Sequence, residues 1–259
     1  MYKNKNLLVP YQKKQNSCYN KLGDKMIIDQ NKHRLKYFIK GISVIMFYFL
    51  LSLFKNLPFI LLKINIEDIP QKSYNFYSIT LEMMMIVIIY YTFEKEIKLA
   101  IKDLKENHQE YFQKYFKTYI LGVTIMMLSN IIIGKLGGGI SENESTIRNE
   151  FKLYPVYIYT SAVLLAPFLE EFIFRLGFKS MIKNNVIYII ISGLIFGSLH
   201  LLGTKIDYLL PIYLISYCSC GWAFAYMMAK SNNILISTAF HFMHNGLLMS
   251  LQFFLLLFT

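Results

Sequence analysis

Seven stretches of this chain are apolar for long enough to cross the roughly 30 Å of hydrocarbon in a bilayer. They fall near 37–54, 75–93, 118–134, 154–176, 186–203, 208–229 and 234–258. A helix in a large soluble core is also apolar, but along one face, and several of these are apolar all round. Charged residues make up only 17% of the 259, against about 25% in a soluble domain, and they are bunched between the apolar runs. The implied fold is all-α, a polytopic transmembrane bundle of seven spans, lying multi-pass in the cell membrane with the lipid bilayer around it. Lys55, Asn56 and Pro58 interrupt the first apolar region, so Phe59 to Leu62 reads as an interfacial or re-entrant piece and makes eight the alternative count. The chain divides into a basic tail at 1–36, N-terminal helices and surface loops at 37–153, and a transmembrane core at 154–259.

The charges orient the bundle. Of a net charge of +11, ten Lys and Arg against two acidic residues precede Gly41. Basic residues flanking a first span stay cytoplasmic and attract anionic lipid. With the tail inside, the other inner segments hold six Lys between Lys95 and Lys117, then Lys179, Lys183 and Lys230. The outer ones hold Gly137-Gly138-Gly139, Glu142, Glu144, Glu150 and the Lys205–Asp207 turn, which places the C-terminus outside. Residues 94–116 read as a charged helix on the cytoplasmic surface. The tail is too long and polar for a signal peptide. No aromatic platform or groove-reading helix accompanies the charge, so nucleic acid is not an expected partner. Cys18 lies in the tail, and Cys218 and Cys220, two apart on a helix, face different ways; they read as packing residues, not a disulfide.

The informative residues are the ionisable ones inside apolar runs, where a charge costs about 2.5–3.5 kcal/mol. The fourth span carries Glu170, Glu171 and Arg175. Glu171 and Arg175 are i, i+4 and pair on one face, while Glu170, turned about 100° away, is free to face the bundle interior. The fifth carries Phe196 and His200, and the seventh carries His241, His244 and Asn245. His241 and Asn245 share a face, with His244 beside it. Counted from the turn at Asn184-Asn185, Glu170 and His200 both lie about 21 Å deep, and from the turn near Asn232, His241 and Asn245 lie about 14 and 20 Å deep. Four polar groups from three helices therefore meet at similar depth. Glu82, in the second span, reads as an isolated interhelical bond.

A carboxylate in an apolar surround is suited to act as a general base. Beside an imidazole it can hold and deprotonate a water, while His241 and the Asn245 amide can donate to a developing oxyanion. That is peptide hydrolysis without a protein nucleophile and without a cofactor. Ser198 with His200 is a poorer nucleophilic pair, since i and i+2 side chains do not face each other. The alternative is a zinc hydrolase with His200, His241 and Glu170 as ligands and Zn²⁺ holding the water; no HExxH is present. A proton-coupled transporter would also use membrane-embedded Glu and His, but it calls for paired halves and broken helices that the chain does not display.

Glu170-Glu171-x-x-x-Arg175, Phe196-x-x-x-His200 and His241-x-x-x-Asn245, in that order and each in its own span, resemble the motifs of the CAAX-protease and bacteriocin-processing (CPBP, or Abi) family. The resemblance covers roughly 160–250. It implies a membrane endopeptidase, of the glutamate type or a zinc metalloprotease, with its site reached from within the membrane or from the cytosol. It implies a membrane peptide or lipidated protein as substrate and 154–259 as the catalytic core. By the resemblance Glu170 and His200 activate water and His241 and Asn245 bind the oxyanion, supported by Glu171, Arg175 and Phe196. Leu176 departs from it, since many members carry Gly directly after the Arg. A non-catalytic bacteriocin-immunity or scaffold protein on the same bundle is the competing implication.

Overall fold

The computed structural model describes residues 34–204 and 207–257. Most of the basic tail, including Cys18, and part of the Lys205–Asp207 turn lie outside the described residues. Among the described residues there are nine helices and no strand. They are α1 (Arg34–Phe54), the short α2 (Leu57–Leu61), α3 (Gln71–Thr92), α4 (Glu94–Lys135), α5 (Glu142–Leu153), α6 (Pro155–Met181), α7 (Asn185–Leu199), α8 (Leu210–Ser231) and α9 (Ile234–Leu257). Five of them, α1, α4, α6, α8 and α9, are long and apolar enough to cross a membrane. The helix α7 is apolar but has only 15 residues, about 22 Å. The predicted surface helix at 94–116 and the third span form one 42-residue helix, α4.

The bundle is built around α8. Two-thirds of its apolar window (67%) is buried, against 11% in α1, so α8 is the central post and α1 faces outward. Large apolar side chains such as Phe76, Tyr91, Leu121 and Leu202 are exposed, as expected where the surrounding medium is hydrocarbon. Helix α8 packs along α7 on one side and α4 on the other. Small residues make both seams possible. Of the Gly-x-x-x-Gly pair on α7, Gly193 faces Gly221 of α8 and Gly197 meets Cys218. A Cβ at Gly197 would stand 2.9 Å from the backbone N of Cys218, and one at Gly221 would stand 3.2 Å from the carbonyl of Gly193. Gly122 of α4 likewise abuts the Ser219 carbonyl. Without a hydrophobic driving force in lipid, such close approach is what holds helices together.

A polar clasp fixes one end. Asn233, in the α8–α9 turn, donates to the Ala100 carbonyl at 2.9 Å and to Asp103 Oδ2 at 2.7 Å, and Tyr111 donates to the same carboxylate at 2.9 Å. Asn232, in the left-handed conformation (φ 54°), ends α8 there. At the same end Lys40 of α1 pairs with Glu96 of α4 at 3.1 Å.

Helix α6 is not a regular α-helix. Residues 160–165 and 172–177 are π-helical. Pro167 has no N–H to donate and its ring crowds the preceding turn, a recognised cause of local widening. Within the first wide turn the Ala166 N–H bonds to the Ser161 carbonyl, five residues back. In an α-helix it would reach Ala162. The Ala162 carbonyl is thereby released for a partner outside the helix.

Candidate active site

That released carbonyl takes the side chain of Asn245. Asn245 Nδ2 donates to Ala162 O at 2.8 Å, so an asparagine of α9 is fixed by a widened turn of α6. Ser161, next along, donates to the Glu82 carboxylate of α3 at 3.1 Å. The wide turn is thus held from both sides. In the second wide turn the Phe174 carbonyl accepts from Ser192 Oγ of α7 at 2.6 Å.

Glu170 and Glu171 part company as the helix geometry requires. Glu171 is fully buried with Arg175, whose Nε lies 3.5 Å from Glu171 Oε1. Arg175 also donates to Ser192 Oγ at 3.2 Å and lies over the Phe196 ring, 4.5 Å from its centroid. The same Glu171 oxygen accepts from His241 Nδ1 at 3.1 Å. With Nδ1–H committed to Glu171, Nε2 is the nitrogen that His241 presents to Glu170, whose Oε2 lies 3.6 Å away. Orientation of one imidazole nitrogen by a carboxylate on the other is a recurrent device in hydrolytic sites. Phe224 stacks on the His241 ring at 4.8 Å, and Phe196 meets it edge-on at 5.8 Å.

His200 is the C-cap of α7, one residue past its end, and not inside a span as the 186–203 reading has it. Its Nδ1 lies 2.9 Å from the Phe196 carbonyl, and its ring rests between Phe196 at 4.5 Å and Tyr217 at 5.4 Å. Nε2 is left as its free nitrogen. Glu170 has His241, and not His200, as its closest imidazole partner. His244 makes its hydrogen bond elsewhere, with Nδ1 3.3 Å from Tyr119 Oη. Among the described residues no three His, Cys, Asp or Glu side chains gather as the ligands of one metal ion. The alternative zinc set of Glu170, His200 and His241 is therefore not assembled in this structure.

Glu170, His200, His241 and Asn245, with His244, Phe196 and Tyr217, line one cavity of about 590 Å³, within the range of small-molecule and peptide sites. It continues past Asn130 and Ser216 to Gly138, Asn143 and Arg148. Glu171 and Arg175 sit behind its wall. The sequence brings out the four lining residues, but not the bond from Glu171 to His241. Nor does it indicate Tyr217 or the Ala162 carbonyl, since a backbone acceptor freed by a wide turn leaves no residue-type signal.

Residues 152–247, from the end of α5 to the middle of α9, match the family model described as Type II CAAX prenyl endopeptidase Rce1-like. No curated protein and no solved structure matches the chain.

Proposed function

We propose that this chain, a member of the CAAX-protease family by its residues 152–247, is an intramembrane endopeptidase that hydrolyses a peptide bond of a membrane-associated substrate with Glu170 as base. One observation carries the reading: the Glu170 carboxylate and a histidine nitrogen fixed by Glu171 face each other at 3.6 Å in the wall of a cavity. That spacing suits a shared water, each group bonding it at about 2.8 Å.

Glu170 takes a proton from the water as its oxygen bonds to the carbonyl carbon. It then delivers that proton to the departing amine as the C–N bond breaks, so that no covalent enzyme intermediate forms. His241 Nε2 holds the water beside Glu170. The second amide hydrogen of Asn245 is a donor in the cavity for the oxyanion; His200, which gives its Nδ1–H to the Phe196 carbonyl, donates from Nε2 only as an imidazolium. This differs from the expected pairing of Glu170 with His200, because His241 stands next to the carboxylate.

The test compares Glu170→Gln with the unaltered chain at matched membrane expression, reading released and membrane-bound peptides by mass spectrometry. Disappearance of a cleaved peptide with accumulation of its precursor supports the reading. If the peptides are unchanged while a protective phenotype persists, catalysis is not the role, and the immunity or scaffold function takes its place.

A further inference from the structure

The helix ends sort onto two faces, and the cavity reaches only one of them. On the tail face lie the start of α1, the α3–α4 junction, and the α6–α7 and α8–α9 turns. Their contacts identify that face: Lys40 pairs with Glu96, Asn233 is bound to Ala100 and Asp103, and Gly41 lies against α6 so closely that a Cβ there would come 2.6 Å from the Gly177 carbonyl. On the far face, tyrosines of the α7–α8 connection and α8 fasten the segment between α4 and α5. Tyr208 donates to the Leu136 carbonyl at 2.9 Å, Tyr213 donates to the Gly139 carbonyl at 2.7 Å, and Tyr217 bonds Ser141 at 2.5 Å. Gln252 of α9 donates to Glu144 of α5.

From Glu170 and His241 the cavity runs to Gly138, Gly139, Ile140, Asn143 and Arg148. Gly139, Ile140 and Arg148 are exposed. None of the tail-face residues just named lines it. Its polar mouth is therefore at the far face, walled by α5, where Arg148 is held by Glu144 at 2.7 Å.

Counted along the sequence, ten of the 27 Lys and Arg precede Gly41. Seven more (Lys95, Lys98, Lys102, Lys105, Lys179, Lys183 and Lys230) belong to segments that meet at the tail face, against seven in segments of the far face. Arg175 is inside, and Lys114 and Lys117 lie further up α4, near Tyr119 and its partner His244. Such a bias sets cytoplasmic orientation. From this we infer that the catalytic cavity opens away from the cytoplasm, and that the substrate is a polypeptide segment on the outer side of the membrane: a translocated peptide or the outer juxtamembrane stretch of a membrane protein. A cytosolic lipidated tail, the substrate side implied by family resemblance, meets the closed face. The inference rests on the proposed protease site and adds which side of the membrane supplies its substrate.

The experiment uses the full chain in its own membrane and a membrane-impermeant maleimide carrying a bulky tag. Cys218 and Cys220 are buried, and Cys18 of the tail is a built-in reporter for the opposite face. In intact cells Asn143→Cys is expected to be labelled and Cys18 to be labelled only after permeabilisation. Labelling at position 143 from outside is expected to cut the yield of the Glu170-dependent peptide at least tenfold. Glu142→Cys, exposed beside it, serves if Asn143→Cys is poorly made, and Lys230→Cys reports the tail face. Labelling of Cys18 or position 230 in intact cells, with position 143 or 142 reached only after permeabilisation, overturns the inference. The two readings fail separately: if Glu170→Gln changes no peptide, the protease reading fails while the labelling still reports which face holds the cavity mouth.

Discussion

Glu171 carries two jobs in one carboxylate, pairing with Arg175 and orienting His241, and the two adjacent glutamates should therefore fail differently. Removing one partner of a buried ion pair leaves an uncompensated charge and costs about 3–5 kcal/mol. Glu171→Ala is expected to lose thermal stability and membrane yield, read by thermal unfolding of the detergent-solubilised protein. Glu170→Gln, at the cavity wall, is expected to unfold at an unchanged temperature while its product disappears. Restoring neutrality with Glu171→Ala/Arg175→Met should recover much of the stability but little of the turnover, because His241 is then unheld. A chelator is expected to leave turnover unchanged, since every proposed proton movement runs through side chains; a metal-dependent loss of activity that added Zn²⁺ restores would count against that. At this scale the sequence was informative: an i, i+4 pair and an odd carboxylate follow from helix geometry alone. The partner of His241 was not, because a contact across 70 residues depends on how two helices are rotated.

Among the elements, α6 and the α7–α8 pair position the chemistry. The wide turn at 160–165 releases the Ala162 carbonyl, and Asn245 fills it. Asn245→Leu removes that bond together with a cavity donor, and turnover is expected to fall by about 10²–10³-fold, the usual effect of losing one oxyanion donor. Ser161→Ala, which touches only the Glu82 side of the same turn, should cost far less. The Gly-x-x-x-Gly seam sets where His200 stands, three residues beyond Gly197. Because a Cβ there would meet the backbone N and Cα of Cys218 as well as its Sγ, turning the side chain alone does not make room, and Gly197→Ala is expected to push α7 away and lower both melting temperature and kcat. Gly193→Ala meets the Trp222 ring, a side chain and not backbone, and should be milder at the cost of the Trp222 bond to the Ile190 carbonyl. Neither this seam nor the π turns were read from the sequence: two glycines four apart do not say which helix they meet, and Pro167 does not say which carbonyl it frees. Two expected boundaries also moved. The surface helix at 94–116 merged with its span because nothing at Glu110 to Lys117 breaks a helix, and α7 ended at Leu199 instead of passing through His200.

For the molecule as a whole, the sequence carried the membrane assignment and the order of the helices, because hydrocarbon thickness imposes a length on every crossing. It did not reveal that α8 is the central post, which depends on packing that composition does not record. The shortness of α7 has a bearing on where such a protein works well. A segment of about 22 Å in roughly 30 Å of hydrocarbon is mismatched, and lipid beside a short segment thins to meet it. Such thinning on the flank that carries His200 would bring interfacial water toward a reaction that consumes one water per turnover. In liposomes of defined monounsaturated lipid, turnover is expected to decline steadily as the acyl chains lengthen; a rate indifferent to chain length would dissociate the deformation from catalysis. Membrane thickness would then act as a control on the enzyme, making it faster in thin regions and quieter in thick ones with no bound effector.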